Sequence, residues 1–447
     1  MKEKALVLLV ERKFFELRDL LTTMNPTDIA VMLEEFPKGI LPVIFRLLPK
    51  ELAADTFIEM GTEQQQALIE AFSDLELKEV VDNLFVDDMV GIIEEMPATV
   101  VKRILQHSNP DKRRMINEVL NYNKDSAGSM MTTEYVDLKA DLTVEDAFKR
   151  IKRTGVNKET IYTCYVTDEN RKLVGVISAK TLMLSDQTDL IGDLMETNFV
   201  YTYTIDDKED AAQKIRKYDL LAIPVVDNEQ RLIGIITVDD AIDILHDAAE
   251  EDIAKMAAIM PNEESYFRTS VFKHARNRVV WLLILMLSAT FTGALISSYE
   301  HTFAILPILV SFIPMIMDST GNSGSQVSTI IIRSMAVNEI KPKDLGKVLF
   351  KEVRIAFLIG MTLAAVNAVR VFIMYRSYEQ CFRLTLVTGI TLILCIIVAK
   401  VIGCILPIGA KKLKLDPAIM ASPILTTICD AFAIYIFFNI AMHIMII

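Results

Sequence analysis

From Val279 onward this chain cannot fold as a water-soluble domain. Apolar stretches run roughly Val279–Tyr299, Phe303–Ile332, Val353–Tyr375, Leu384–Ala410 and Pro417–Ile447. Each reaches the ~20 residues that a helix needs to cross the hydrocarbon of a bilayer. The second and fifth are long enough to tilt or break. Lysine and arginine sort between their ends. Lys273, Arg276 and Arg278 precede the first stretch. Arg333, Lys341, Lys343, Lys347 and Lys351 lie between the second and third, and Lys411, Lys412 and Lys414 between the fourth and fifth. The positive-inside rule predicts a multi-pass protein of the plasma (inner) membrane, N-terminus in the cytoplasm and C-terminus outside.

Charge separates the chain into two chemistries. Residues 1–270 hold 51 acidic and 31 basic side chains, a net of −20, whereas residues 271–447 are +8. So acidic an aqueous half is a poor match for nucleic acid or anionic lipid; it suits solubility or the binding of cations. The short Ala5–Val10 run, followed by Glu11, Arg12 and Lys13, does not read as a signal peptide. The cysteines at 164, 381, 395, 404 and 429 form no CxxC pair, which argues against a disulfide framework or a zinc site.

Residues 1–125 read as an acidic, all-helical N domain. Phe36-Pro37, Leu48-Pro49 and Met96-Pro97 punctuate apolar residues at helical spacing, so short helices stacked as a small solenoid are expected. Acids gather at Asp87, Asp88, Glu94 and Glu95, a pattern that also fits a solvated helix face.

Residues 126–246 contain an internal repeat. Met131-Thr-Thr-Glu-Tyr-Val136 is echoed by Met195-Glu-Thr-Asn-Phe-Val200, and Glu145-Asp-Ala147 by Glu209-Asp-Ala211. The first copy has a longer loop around Thr154–Thr160. Each copy reads strand, helix, strand, turn, strand, helix. The segment Ile223-Pro-Val-Val-Asp227 with Leu232-Ile-Gly-Ile-Ile-Thr-Val-Asp-Asp240 resembles a CBS module; Cys164-Tyr-Val-Thr-Asp168 with Leu173-Val-Gly-Val-Ile-Ser178 resembles it less tightly. Module 1 is expected over 126–188 and module 2 over 189–246. A helical connector over 247–270, from about Ala248 to Phe267, then leads to a membrane domain over 271–447.

Two features of the apolar half ask for a cation. Asp430 is the one side chain certain to be charged between Ala418 and Ile447. A carboxylate at mid-membrane costs roughly 2.5–3.5 kcal/mol on insertion scales and is seldom left facing lipid. The second stretch carries Pro314-Met-Ile-Met-Asp-Ser-Thr-Gly-Asn-Ser-Gly-Ser-Gln326, polar and glycine-rich between apolar runs. Irregular backbone at this depth is tolerated where it lines a water-filled cavity, so a pore-lining bend is expected, with carbonyls of Gly321 and Gly324 and amide oxygens of Asn322 and Gln326 as donors. A second break is expected at Pro423. Asp318 is a weaker pore candidate that could instead cap the broken helix or pair with Lys400. Lys400 itself could snorkel, pair with an acid, or set the pore's field.

Together, the order of domains, the motif ending Gly321-Asn-x-Gly-x-Gln326, and Leu415-Asp-Pro-Ala…Pro423…Asp430 resemble the MgtE family of magnesium channels over nearly the whole chain. Two positions depart from its pattern: Thr320 stands where a glycine is common, and Ala248 where an acid is frequent. The resemblance implies a multidomain membrane protein with an all-α superhelical N domain, an α/β tandem CBS pair, a connecting helix and an α-helical domain of five spans. It implies a homodimer, not an enzyme, with a magnesium influx path between protomers that closes when cytosolic Mg²⁺ is high. By resemblance the sensor acids are Asp207, Glu209, Asp219, Asp240 and Asp243 in and after module 2, Glu251 and Asp252 on the connector, and Asp87 and Asp88 facing them. An adenine nucleotide at the CBS pair is a further implied ligand. The oxygen-only donor set suits a hydrated hard ion and does not discriminate against Co²⁺, Ni²⁺ or Mn²⁺. Two alternatives stand beside this reading: a CBS-regulated Co²⁺/Mg²⁺ efflux protein, and an intramembrane aspartyl protease using Asp318 and Asp430.

Overall fold

The computed structural model describes residues 2–446, apart from 38, 263–265, 267, 268, 338 and 421. Two compact units divide the chain between Leu245 and His246.

The first unit opens with short helices, α1 (Lys2–Val10) through α10 (Pro110–Val119). Prolines and polar caps punctuate them, as the sequence predicts. Asn25 accepts from the Thr27 N–H at α3 (Pro26–Glu34), and Asn109 from the Asp111 N–H at α10. Ser73 and Glu76 form a reciprocal capping box at α7 (Asp74–Asn83). One apolar core runs through this solenoid and on into the second repeat, joining Val86 and Ile116 to Ile223, Ile236, Ala241 and Ile244.

The repeats fold as two three-stranded sheets, each a parallel pair plus an antiparallel one. In the first, β1 (Asp137–Leu138), β2 (Thr163–Thr167) and β3 (Leu173–Ser178) lie in that order. In the second, β4 (Thr202–Tyr203), β5 (Ala222–Val226) and β6 (Leu232–Thr237) repeat it. The lead-in of each repeat pairs with the other repeat's last strand: Thr132 with Ile235, and Glu196 with Val176. This exchange explains the methionine echo. A Cβ at Gly175 would lie 2.6 Å from the Met195 Sδ, and one at Gly234 2.8 Å from the Met131 Sδ, so each methionine fills the space a glycine leaves. Helices α11 (Val144–Thr154), α12 (Ala179–Leu184), α13 (Ile191–Leu194) and α14 (Lys208–Tyr218) complete the pair.

Helix α15 (Val238–Met256) follows β6 without interruption. It stops eleven residues short of the expected Phe267, which lies outside the described residues. The reason is local: the Ala257 N–H bonds both Ile253 and Ala254 carbonyls, Ala258 turns left-handed at φ 55°, and Pro261 comes three residues later.

The second unit holds α16 (Val271–Ser297), α17 (Glu300–Ile305), α18 (Ile313–Ala336), α19 (Leu345–Met374), α20 (Cys381–Lys412) and α21 (Ser422–Ala441). Among the described residues four segments are long and apolar enough to cross a membrane: Val271–Ser297, Pro342–Met374, Cys381–Lys412 and Ala418–Met445. Helix α18 is long enough, but its Gly/Ser/Asn centre lowers its hydropathy. The expected Phe303–Ile332 span is therefore not one helix; a short helix and a 3₁₀ turn (Pro307–Phe312) precede α18.

Candidate cation sites

Helix α18 corrects the sequence reading of the glycine-rich motif. The chain stays helical from Ile313 to Ala336, so Gly321 and Gly324 form no bend and their carbonyls belong to the helical ladder. A continuous helix satisfies its own backbone in hydrocarbon, and the glycines instead let neighbours approach. A Cβ at Gly324 would lie 3.1 Å from the Cys429 Sγ and 3.4 Å from the Ala399 carbonyl. Pro423 sits in the first turn of α21, after the 3₁₀ turn at Ala418–Met420, so it opens that helix, where a missing N–H costs nothing.

Helical periodicity turns the motif into a stripe. Asp318, Asn322 and Gln326 recur every four residues and all three are exposed in the single chain. Asn322 Nδ2 donates to Asp318 Oδ1 at 2.9 Å. Asp318 thus neither caps a broken helix nor meets Lys400, which instead pairs with Glu352. Asp430, half-buried on α21, comes to the same region. A Cβ at Gly321 would stand 3.3 Å from the Thr426 methyl and 3.8 Å from Asp430 Oδ1, and Asp318 is close enough for its charge to act on Asp430. Of the pore candidates read from the sequence, Asp318, Asn322 and Asp430 therefore share one region as side chains on two helices, whereas the glycine carbonyls offer no free donor.

A second acidic centre lies in the first unit. Asp87 and Asp88 open helix α8 (Val86–Glu95), and Asp240 lies in the first turn of α15, accepting from Thr237 Oγ1 at 2.7 Å. Burial, then repulsion from neighbouring acids, raises their carboxyls: Asp87 well above the usual range, Asp88 to about 6 with Asp240 facing it, and Asp240 to about 6 beside Asp239. Asp243 adds to the field at Asp240. Three acids that the sequence reading did not name complete the group. Glu134 Oε2 accepts from the Val86 N–H at 2.9 Å, anchoring the start of α8. Glu159 is pushed up to about 8, first by burial and then by Asp88, Asp240, Asp239 and Glu134; its Oε2 is buried without a hydrogen bond. Asp239 adjoins Asp240. The signal for Glu159 was the longer loop of the first repeat, which its N–H ties to the Glu134 carbonyl at 2.8 Å. Lys112 stands close by, but its ammonium is committed to the Val81, Asp82 and Leu84 carbonyls. Among the described residues, no three carboxylates already stand as a closed metal cage. The donor chemistry, oxygen only, suits a hard cation that keeps its waters.

The remaining predicted acids lie apart. Asp207 caps α14 by accepting from the Glu209 N–H, and Asp219 ends that helix in the left-handed region at φ 52°. Glu251 pairs with Lys255, whose Nζ also reaches Asp416 Oδ2 at 2.5 Å. Burial and Asp416 raise the Asp252 carboxyl.

Comparison with known proteins decides the family. A magnesium transporter MgtE of Thermus thermophilus is 30% identical over 95% of this chain and 94% of its own length. One from Bacillus subtilis is 31% identical over 98% and 96%. This chain belongs to the MgtE family. The family profiles agree: an MgtE intracellular N domain over 24–125, CBS domains over 127–186 and 191–247, and a divalent cation transporter domain over 313–440. Among solved structures, the cytosolic domain of the Mg²⁺ channel MgtE in complex with ATP is 31% identical, with a TM-score of 0.52, over 55% of this chain and all of that one. MgtE proteins are membrane transporters of divalent cations, not enzymes.

Proposed function

We propose that this MgtE protein is a homodimeric magnesium influx channel, with five spans per protomer, whose ion path runs along the Asp318–Asn322–Gln326 stripe past Asp430. The stripe carries the reading. It is exposed on the single protomer, in a helix flanked by spanning helices, and lipid does not tolerate three such side chains in a row. A second protomer and a file of water give them partners. Asp430 then supplies the charge, holding a hydrated Mg²⁺ through water, while Asn322 and Gln326 offer amide oxygens. The basic loops support an N-terminus in the cytoplasm and a C-terminus outside. Asp430→Asn removes the charge at constant shape. Mg²⁺ uptake should fall to background in cells lacking other importers, with surface abundance unchanged; wild-type uptake would refute the path.

The acids of the first unit form the cytosolic sensor in this proposal. Unneutralised, Asp87, Asp88, Glu134, Glu159, Asp239 and Asp240 repel, and Mg²⁺ between them favours the compact, closed form. Asp207, Glu209, Asp219, Asp243, Glu251 and Asp252 contribute further weak sites, since a gate moves only by the summed differential affinity of its ligands. An adenine nucleotide at the CBS pair is supported by the likeness to the ATP-bound MgtE domain.

A further inference from the structure

Lys400 and Glu352 form an ion pair inside the membrane domain that the path above does not use. Lys400 Nζ lies 3.1 Å from Glu352 Oε2, and their side chains are 5% and 12% exposed. Desolvating two charges largely cancels their attraction, so such a pair adds little stability over apolar side chains of the same volume; its best-attested use is to fix register. The neighbouring contacts have that form. Going along α19 from Glu352, Gly360 receives the Ile393 backbone, whose Cα would lie 3.0 Å from an added Cβ, and Asn367 Nδ2 donates to Thr388 Oγ1 at 2.9 Å. The three contacts succeed one another at roughly two-turn intervals up α19 and down α20, which locks one antiparallel register. The segment around Lys400 also touches α18. A Cβ at Gly403 would fall 2.6 Å from the Gly324 carbonyl and closer still to Val327 Cγ1, and the Ala399 carbonyl, one turn earlier on the same face of α20, also faces Gly324. Gly324 lies between Asn322 and Gln326.

We infer that the Lys400–Glu352 pair is a positioning element for the ion path: it fixes the height of α20 against α19, and through Gly403 and Ala399 the height of the polar stripe on α18. A slip of α20 would move Gly403 off Gly324 and force α18 to rotate or withdraw. This inference rests on the path proposed above.

The test is Mg²⁺ flux into vesicles holding the purified full chain, with Co²⁺ in parallel. K400M and E352Q each leave one buried charge unpaired. Both should reduce Mg²⁺ flux by roughly tenfold, mid-range for groups coupled through direct contact. The reversed pair, K400E/E352K, should recover most of the flux. The apolar double K400M/E352L should insert and melt like the wild type, yet show a changed half-saturating Mg²⁺ concentration and a changed Mg²⁺-to-Co²⁺ ratio, because the register is no longer fixed. An apolar double with wild-type flux, half-saturation and ion ratio would overturn the inference. So would a reversed pair that inserts but conducts no better than the single variants. An apolar double that fails to insert, beside a reversed pair that conducts normally, would assign the pair to stability alone and overturn it too. Asp430→Asn in the same vesicles separates the two readings: wild-type flux there sinks the path itself, whereas loss there with an unaffected apolar double sinks the positioning role.

Discussion

Single carboxylates in the first unit are held where ionisation is costly. Burial and neighbouring acids push Asp88 and Asp240 up to about 6 and Glu159 up to about 8, against ordinary values of 3.8 and 4.5. A folded-state value raised in this way gives stability that is complete below the unfolded value and lost as pH rises through the folded one. With divalent ions chelated, the first unit should therefore loosen progressively as pH rises from about 4, the contribution of Asp88 and Asp240 being lost by about pH 6 and that of Glu159 by about pH 8. Mg²⁺ should restore compactness most strongly on the alkaline side, where the acids are charged. Glu159→Gln should shallow the alkaline part of that loss, in which Asp87, also raised, still shares. Limited proteolysis across pH 5–9, with EDTA and with millimolar Mg²⁺, checks this; a protease pattern indifferent to both pH and Mg²⁺ would refute it. Asp87 and Asp88 were legible as acids in the sequence, but a solvated face fitted them equally. Glu134 gave no such sign and Glu159 only the longer loop that carries it, because their meaning comes from facing α8 across a tertiary gap.

Elements in the membrane unit depend on contacts that leave no room for a methyl group. Gly403 meets the Gly324 backbone, which cannot swing aside as a side-chain end could. Gly403→Ala should destabilise the α18–α20 packing by about 1–3 kcal/mol, the usual range for overpacking. Gly409, three residues from the end of α20, has open space around it, and Ala there should be near neutral. Thermal melts of the detergent-solubilised protein compare the two. Equal melting temperatures would show that α18 and α20 do not meet as described. The same glycines misled the reading from sequence. A run of Gly, Ser and Asn in an apolar stretch fits a broken helix as well as a tightly packed one, and only the neighbours of Gly321 and Gly324 distinguish them.

At the scale of the whole molecule, the proposed mechanism has the acidic unit regulate and the apolar unit conduct. Deleting residues 1–246 should leave Mg²⁺ uptake that no longer declines as cytosolic Mg²⁺ rises, and cells carrying the truncation should become sensitive to external Mg²⁺ or Co²⁺. A truncated protein that reaches the membrane and still closes with internal Mg²⁺ would place the sensor in the spans.

Sequence alone determined the properties that composition and spacing dictate. Charge separated an aqueous half from an apolar one, proline and cap residues marked the short helices, and the doubled Met…Gly-x-Ile pattern gave two similar α/β modules. These properties are local, and the chain carries them whatever its neighbours. Asp430 was legible for the same reason, since an isolated acid in an apolar span is costly in any fold. Tertiary structure decided which acids share one electrostatic neighbourhood, that Lys400 answers Glu352 and not Asp318, and that the polar motif is a helix face. Those are contacts between residues far apart in sequence, and no spacing along the chain encodes which partner a buried charge meets.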